Sequence, residues 1–367
     1  MNLDQFPSID TLHAILLKDT PLLDVRAPIE FAQGAFPRAS NFPLMDDQDR
    51  EAIGICYKQS GQAAAIKLGE QRVNGDIKAQ RIQAWTQFIE THPNAVLYCF
   101  RGGLRSKISQ QWIYEATGKL IPRVEGGYKA LRRFLLDSIE QSMQKITPIV
   151  LSGRTGSGKT RLLYELDAMI DLEGLANHRG SAFGRTTTPQ PTPISFENHL
   201  AINLLKQLHQ GRNTLVFEDE SHNIGSVALP IHFFKQLKQA QIVVLQTSDQ
   251  QRIDISVQEY ISDMEQAWQQ DGNGFEDFAE YLLSSLSRIK KRLGGERYQL
   301  MRQQMLKALQ QHQQHADLSH YHLIIGQILQ QYYDPMYDYQ LSQKQDRVVF
   351  SGDKSAVLDY LKQQGIS

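Results

Sequence analysis

A chain of 367 residues, 41% hydrophobic and 22% charged, is long enough to bury sizeable cores and to divide into two or three domains. Its formal net charge of −1 excludes a uniformly basic nucleic-acid-coating protein, so any basic surface has to be local. Two cysteines exclude a disulfide framework and make a reducing, cytoplasmic setting the expectation.

The opening stretch MNLDQFPSIDTLHAILL carries no basic flank ahead of a long apolar run, so no signal peptide is expected. The longest apolar runs, such as 242–245, are far too short to cross a bilayer, and no membrane partner is expected. TPLLDVR (20–26) and AVLYC (95–99) read as strands that end in polar residues. LRSKISQQWIYEATG (104–118) reads as a helix closed by Gly118. This is α/β logic, which places chemistry at the carboxyl ends of the strands. A charged helical stretch, YKALRRFLLDSIEQSMQK (128–145), then leads to a fresh strand, TPIVLSG (147–153), and the first domain boundary is placed between 137 and 138.

The second segment, 138–250, repeats the pattern. A strand runs into Gly153, a helix starts at Lys159 and continues through TRLLYELDAMI, and TLVFEDE (214–220) and IVVLQTS (242–248) follow as strands. Between them, NHRGSAFGRTTTPQPTPISFENH (177–199) reads as one long functional or disordered loop. From 251 to 345 the chain is mostly helical and amphipathic, including the Gln-rich stretch 309–333. Residues 346–367 close it with a strand, RVVFSG (347–352), and a helix (354–364) that return to the preceding domain.

Two short stretches carry chemistry. GRTGSGKT (153–160) matches the phosphate-loop pattern at every fixed position and lies between a strand and a helix. Gly153, Gly156 and Gly158 let the backbone curl until successive N–H groups face one anion, with Arg154, Thr155 and Ser157 completing the loop. Lys159 adds a full positive charge, and the Thr160 hydroxyl is placed for Mg²⁺. Asp219, at the end of TLVF, is the candidate second metal ligand. The pattern selects a diphosphate without selecting ATP, GTP or another carrier.

LYCFRGGLRS (97–106) sets Cys99 at a strand end, ahead of Gly102 and Gly103 and the amino end of a helix. Backbone N–H groups, the helix end, Arg101 and Arg105 would stabilise a thiolate, the reactive form of a thiol that otherwise titrates at about 8.5. The alternative is a small buried core residue. Cys56 has no such surroundings and reads as structural.

DVRAPIEFAQGAFPRASNFPL (24–44) resembles the signature near the start of rhodanese domains, through Asp24, Arg26, Glu30, Phe31, Gly34, Pro37, Ala39 and Pro43. YCFRGGLRS then resembles the rhodanese active loop, whose cysteine accepts a chalcogen atom. Common rhodaneses carry arginine five residues after that cysteine, whereas here Leu104 stands fifth and Arg105 sixth. With a phosphate loop following, and with CYKQSGQAAAIKLG (56–69), VEGGYKALR (124–132), LEGLANHRGSAFG (172–184), FEDES (217–221) and YYDPMY (332–337), the whole chain resembles the tRNA 2-selenouridine synthase family. The resemblance implies an α/β protein with an N-terminal rhodanese-like domain (1–137), a P-loop NTPase-like α/β domain and a mostly helical C-terminal extension that holds tRNA. It implies replacement of the sulfur of a wobble 2-thiouridine by selenium from selenophosphate, and geranylation of that sulfur from geranyl diphosphate. No tightly bound cofactor is expected, Mg²⁺ aside. The partners implied are tRNA bearing a modified 2-thiouridine and the selenophosphate-producing enzyme.

The candidate tRNA contacts are Arg288, Lys290, Lys291 and Arg292 in SRIKKRLGGER (287–297), Arg132 and Arg133 in KALRR (129–133), and His178 and Arg179 in the long loop. The competing readings are a P-loop kinase or NTPase with an accessory sulfurtransferase domain, and a regulatory protein whose rhodanese domain only binds anions.

Overall fold

In the computed structural model, residues 3–366 are described. The chain divides into two compact units. One runs to Ser142 and takes in Thr192–His209; the other comprises Met143–Pro191 and the chain from Gln210 onward.

The first unit is built on five parallel strands in the order β1 (Ser8–Ile9), β5 (Arg123–Val124), β4 (Val96–Tyr98), β2 (Leu22–Asp24), β3 (Ala39–Asn41). β2 and β4 are fully buried, as central parallel strands covered on both faces must be. Trp85 and Phe88, on a helix over Gly75–Thr91, pack with Leu23, Leu97 and Ile113 into the core. The helix Leu104–Thr117 ends where expected, with Gly118 in the left-handed conformation. A 26-residue helical stretch, Asp47–Arg72, is kinked at Gly61 and carries half-buried Cys56.

The second unit holds another all-parallel sheet, β12 (Val348–Gly352), β11 (Gln241–Leu245), β6 (Thr147–Ser152), β8 (Thr214–Glu218), β7 (Met169–Ile170). A two-stranded antiparallel pair, β9 (Asn223–Ile224) and β10 (Val227–Ala228), lies beside it in sequence. Helices fill the stretch from Asp249 to Ser342, and two π-helical turns interrupt them, Gln258–Ser262 and Leu329–Tyr333. Their core includes Phe278, Leu282, Met305 and Tyr321, joined by Phe183 from the glycine-rich loop.

Three expectations give way. The helix after Lys159 stops at Leu163, because Met169–Ile170 pairs with β8, and a ladder outweighs local helical spacing. The long loop ends at Thr192, and Pro193–His209 is a helix whose leading proline supplies a preset φ. That helix belongs to the first unit: Asn198 Nδ2 donates to the Ala35 carbonyl at 2.8 Å, and Lys206 Nζ to Asp19. Among the described residues, no helix is long and apolar enough to cross a membrane.

Candidate functional sites

In the first unit, β4 delivers Cys99 to the amino end of the helix Leu104–Thr117, whose first N–H groups have no intrahelical acceptor. Cys99 is 3% exposed, and its Sγ donates to Ser106 Oγ at 3.3 Å. Ser106 in turn bonds the Gly103 carbonyl at 2.8 Å. Residues 124–129 form the floor of this loop. Tyr128 and Lys129 donate their backbone N–H groups to the Cys99 and Phe100 carbonyls at 2.9 and 3.0 Å. Gly127, at φ +61°, passes so close that a β-carbon would stand 2.3 Å from the Cys99 oxygen.

Arg105 does not point freely at the sulfur. Its guanidinium grips Glu30 through two bonds of 2.5 and 3.1 Å. Burial alone would raise the Glu30 carboxyl, but Arg105 outweighs it and holds the group below its ordinary value. The Asp24–Arg26 pair is likewise internal: Arg26 is 1% exposed, donates to both Asp24 oxygens and to the Gly34 carbonyl, and stacks on the Tyr128 ring at 3.9 Å. These residues brace the cysteine loop. Arg101 is exposed at its tip.

In the second unit, the phosphate loop leaves the central strand β6. Gly156 and Gly158 take φ values of +77° and +81°, and Lys159 Nζ rests on the Gly153 carbonyl at 2.8 Å. With only five residues in the helix that follows, an anion here would be held by the loop N–H groups and Lys159 more than by a helix dipole. The loop is clamped from outside. Arg252, 1% exposed, donates to the Thr155 carbonyl at 3.0 Å and is held by Asp249 and Asp334. Arg154 pairs with Asp338 at 2.8 Å.

The acid that meets Thr160 is Glu218, whose Oε1 lies 3.4 Å from the threonine hydroxyl. Asp219 instead accepts from Ser152 at 2.5 Å and pairs with Lys344. Burial would raise Asp219, but Lys344 prevails and keeps it below its ordinary value. Glu218 is pushed well up by burial and then by Glu173. Glu173 is raised by burial and Glu220, and Glu220 rises to about 7 through burial and Glu218. This patch is short of positive charge. Among the described residues no three His, Cys, Asp or Glu side chains converge as a metal cluster. A Mg²⁺ site needs fewer protein ligands, because the ion keeps waters and substrate oxygens, so Thr160 with Glu218 fits one.

A narrow cleft opens beside the phosphate loop. Its walls are mainly apolar, and the hydroxyl residues Thr155, Ser181, Ser256, Tyr260 and Tyr333 are also among its lining. Thr155 and Ser181 stand at the part-exposed mouth, while Ile261, Leu282, Met305 and Leu329 are buried. Both π-helical turns line it, through Tyr260 and Ile261 and through Leu329 and Tyr333. Such turns recur at functional sites. The helical stretches of sequence read as ordinary core, and nothing in their spacing reveals this cleft.

The long loop is ordered by its own bonds: Asn177 Nδ2 donates to the Thr188 carbonyl, and Gln190 Nε2 to those of Ala176 and Ile224. His178 packs against Gly184 and Gly225, and burial with Arg288 nearby lowers its pKa, so it is neutral at pH 7. Arg179 is spent on the Glu259 carbonyl and the Tyr260 ring. Arg132 is spent on Glu197 and Asn198, leaving Arg133 exposed. Arg288, Lys290, Lys291 and Arg292 are all exposed and nearly consecutive, as a tRNA-facing patch requires. Three of them also touch protein, Arg288 at the Ala182 carbonyl, Arg292 at the Met336 sulfur and Lys290 over the Tyr298 ring.

A family model described as the tRNA 2-selenouridine synthase AAA domain matches residues 146–366. Relatives similar over nearly the whole length include a tRNA 2-selenouridine synthase of Marinobacter nauticus, 49% identical over 97% of this chain and 98% of the relative. That of Sulfurovum sp. is 46% identical over 98% and 100%. That of Pseudomonas fluorescens is 50% identical over 95% and 96%.

Proposed function

The chain belongs to the tRNA 2-selenouridine synthase family and is a tRNA-modifying transferase; from that premise we propose that it replaces the sulfur of a wobble 2-thiouridine with selenium through an S-geranylated intermediate. The observation that carries the intermediate is the apolar cleft beside the phosphate loop. A diphosphate held at 153–160 would have a mainly apolar wall next to it, which suits a prenyl chain.

In the first half-reaction the thiocarbonyl sulfur attacks C1 of geranyl diphosphate, the C–O bond breaks and diphosphate leaves. Lys159 and the loop N–H groups hold the charge that grows on the leaving oxygens. Thr160 and Glu218 are the residues that would hold a divalent cation, which supplies further stabilisation of the departing diphosphate. Alkylation makes the sulfur a better leaving group. In the second half-reaction the P–Se bond of selenophosphate breaks, the freed selenide attacks C2, the C2–S bond breaks and geranyl thiol departs. Cys99 serves this step as nucleophile toward the donor: its thiolate takes the phosphoryl group as selenide leaves, and water then hydrolyses the S-phosphocysteine to thiol and phosphate. The proposal includes a rhodanese-like first unit and supply of selenophosphate by the enzyme that makes it.

Mass spectrometry of wobble nucleosides from a strain lacking the protein tests this reading. Loss of both selenated and geranylated 2-thiouridine is expected. Retention of both would favour a nucleotide-using enzyme with an accessory sulfurtransferase domain.

A further inference from the structure

Given the prenyl-donor reading above, we infer that Leu282 and Met305 form the closed end of the apolar cleft and set the chain length of the donor. The order of packing around the cleft supports this. The helix Asp249–Val257 touches the phosphate loop, through Arg252 at the Thr155 carbonyl and through Ser256, whose Oγ would lie 2.4 Å from a β-carbon on Gly156. The helix Ser319–Ile328 packs on Asp249–Val257, and Gly295–His315 packs on Ser319–Ile328 and on Phe275–Arg288. Met305 and Leu282 come from those two outer helices. They are therefore the lining residues farthest along the packing from the diphosphate, and they are 1% and 0% exposed.

The cleft has a polar end and an apolar one. Ser256 lies at the phosphate-loop end, 2% exposed, and its hydroxyl has no hydrogen-bond partner among the described residues. A ligand oxygen next to the diphosphate would satisfy it. Beyond it the walls are Ile325, Ile328 and Leu329, with nothing to hydrogen-bond. With Met305 and Leu282 closing the inner end, a chain longer than the cleft has to displace one of them, and a shorter one leaves that end unfilled.

Calorimetric titration of the full chain with dimethylallyl, geranyl, farnesyl and inorganic diphosphate tests this. The wild type is expected to bind the geranyl compound tightest. Met305→Ala and Leu282→Ala each lengthen the cleft and should raise the farnesyl-to-geranyl affinity ratio at least about tenfold, since five more carbons gain burial. Met305→Leu, which nearly conserves volume, should keep the wild-type order. Thermal unfolding identifies folded variants, and Met305→Ala carries the test should Leu282→Ala fail to fold. An unchanged ratio in folded Met305→Ala overturns the assignment while leaving the prenyl reading intact. Wild-type protein that binds all three prenyl diphosphates no tighter than inorganic diphosphate overturns both.

Discussion

Gly127 lies directly beneath Cys99: a β-carbon there would stand 2.3 Å from the Cys99 carbonyl oxygen and 2.4 Å from the Gly102 nitrogen. Both contacts are with backbone, so neither can swing aside. Gly127→Ala, also strained at φ +61°, should displace the cysteine loop and cost more than about 1 kcal/mol of stability. Gly103→Ala, with open space around its position, should stay within about 0.5 kcal/mol of wild type. Chemical denaturation and selenation assays of the pair would show it; equal effects would remove the floor from the account of the loop.

Cys99→Ser should abolish selenium incorporation and leave prenyl transfer largely intact, because the sulfur lies in the first unit and the diphosphate loop in the second. The assay supplies selenophosphate with pre-geranylated tRNA, and separately geranyl diphosphate with thiolated tRNA. Undiminished selenation by the serine variant would remove Cys99 from the mechanism.

Lys159→Ala removes the full charge beside the proposed diphosphate position. Loss of a charge-assisted hydrogen bond costs about 1.5–3 kcal/mol, or roughly ten- to a hundredfold in diphosphate affinity. Conversion of pre-geranylated tRNA should persist. An equal fall in both half-reactions, with the fold intact, would contradict the division of labour between the two sites.

The glutamate patch makes stability depend on pH in a stated direction. Burial and then Glu218 raise the Glu220 carboxyl to about 7, so between the ordinary glutamate range and that value the folded state binds a proton that the unfolded chain has released. Stability from this group is therefore present at low pH and lost as pH rises through about 7. Glu220→Gln should flatten that slope, gaining most in melting temperature above neutral pH. A melting profile between about pH 5 and pH 8 that matches wild type would show that Glu220 does not carry the proton.

Arg288, Lys290, Lys291 and Arg292 are exposed together, whereas Arg132 is consumed by Glu197. If the four hold phosphates, binding releases counterions and falls steeply with salt. Replacing all four with alanine should weaken cognate and non-cognate tRNA about equally and flatten the salt slope, leaving diphosphate affinity unaltered. Superimposable salt titrations would place the grip elsewhere.

What could be read without coordinates was local. Strands 147–152, 214–218 and 241–245 are buried over most of their length and so appear as unbroken apolar runs, and the phosphate loop is one contiguous pattern. The two-residue strands β1, β5 and β7 exist only through pairing with distant partners, which no local composition announces. The clamp of Arg252 on Asp334 joins residues 82 apart. Composition does not tell which strand-end acid meets Thr160: successive side chains there point to opposite sides, and register turns Glu218 to Thr160 and Asp219 to Ser152. The apolar cleft leaves no mark on the sequence, because its helical lining residues have the same spacing as any helix core.

The helix Pro193–His209 is encoded inside the second unit's stretch of sequence but packs in the first. It buries Phe196, Leu200, Ala201 and Leu204 completely. During synthesis the first unit must therefore wait, its apolar surface unsatisfied, until well over half of the chain has left the ribosome. A gene cut between 142 and 143 yields two fragments that each lack a native boundary: one has lost a core helix, and the other carries an orphaned one. The two units are thus inherited, expressed and lost together.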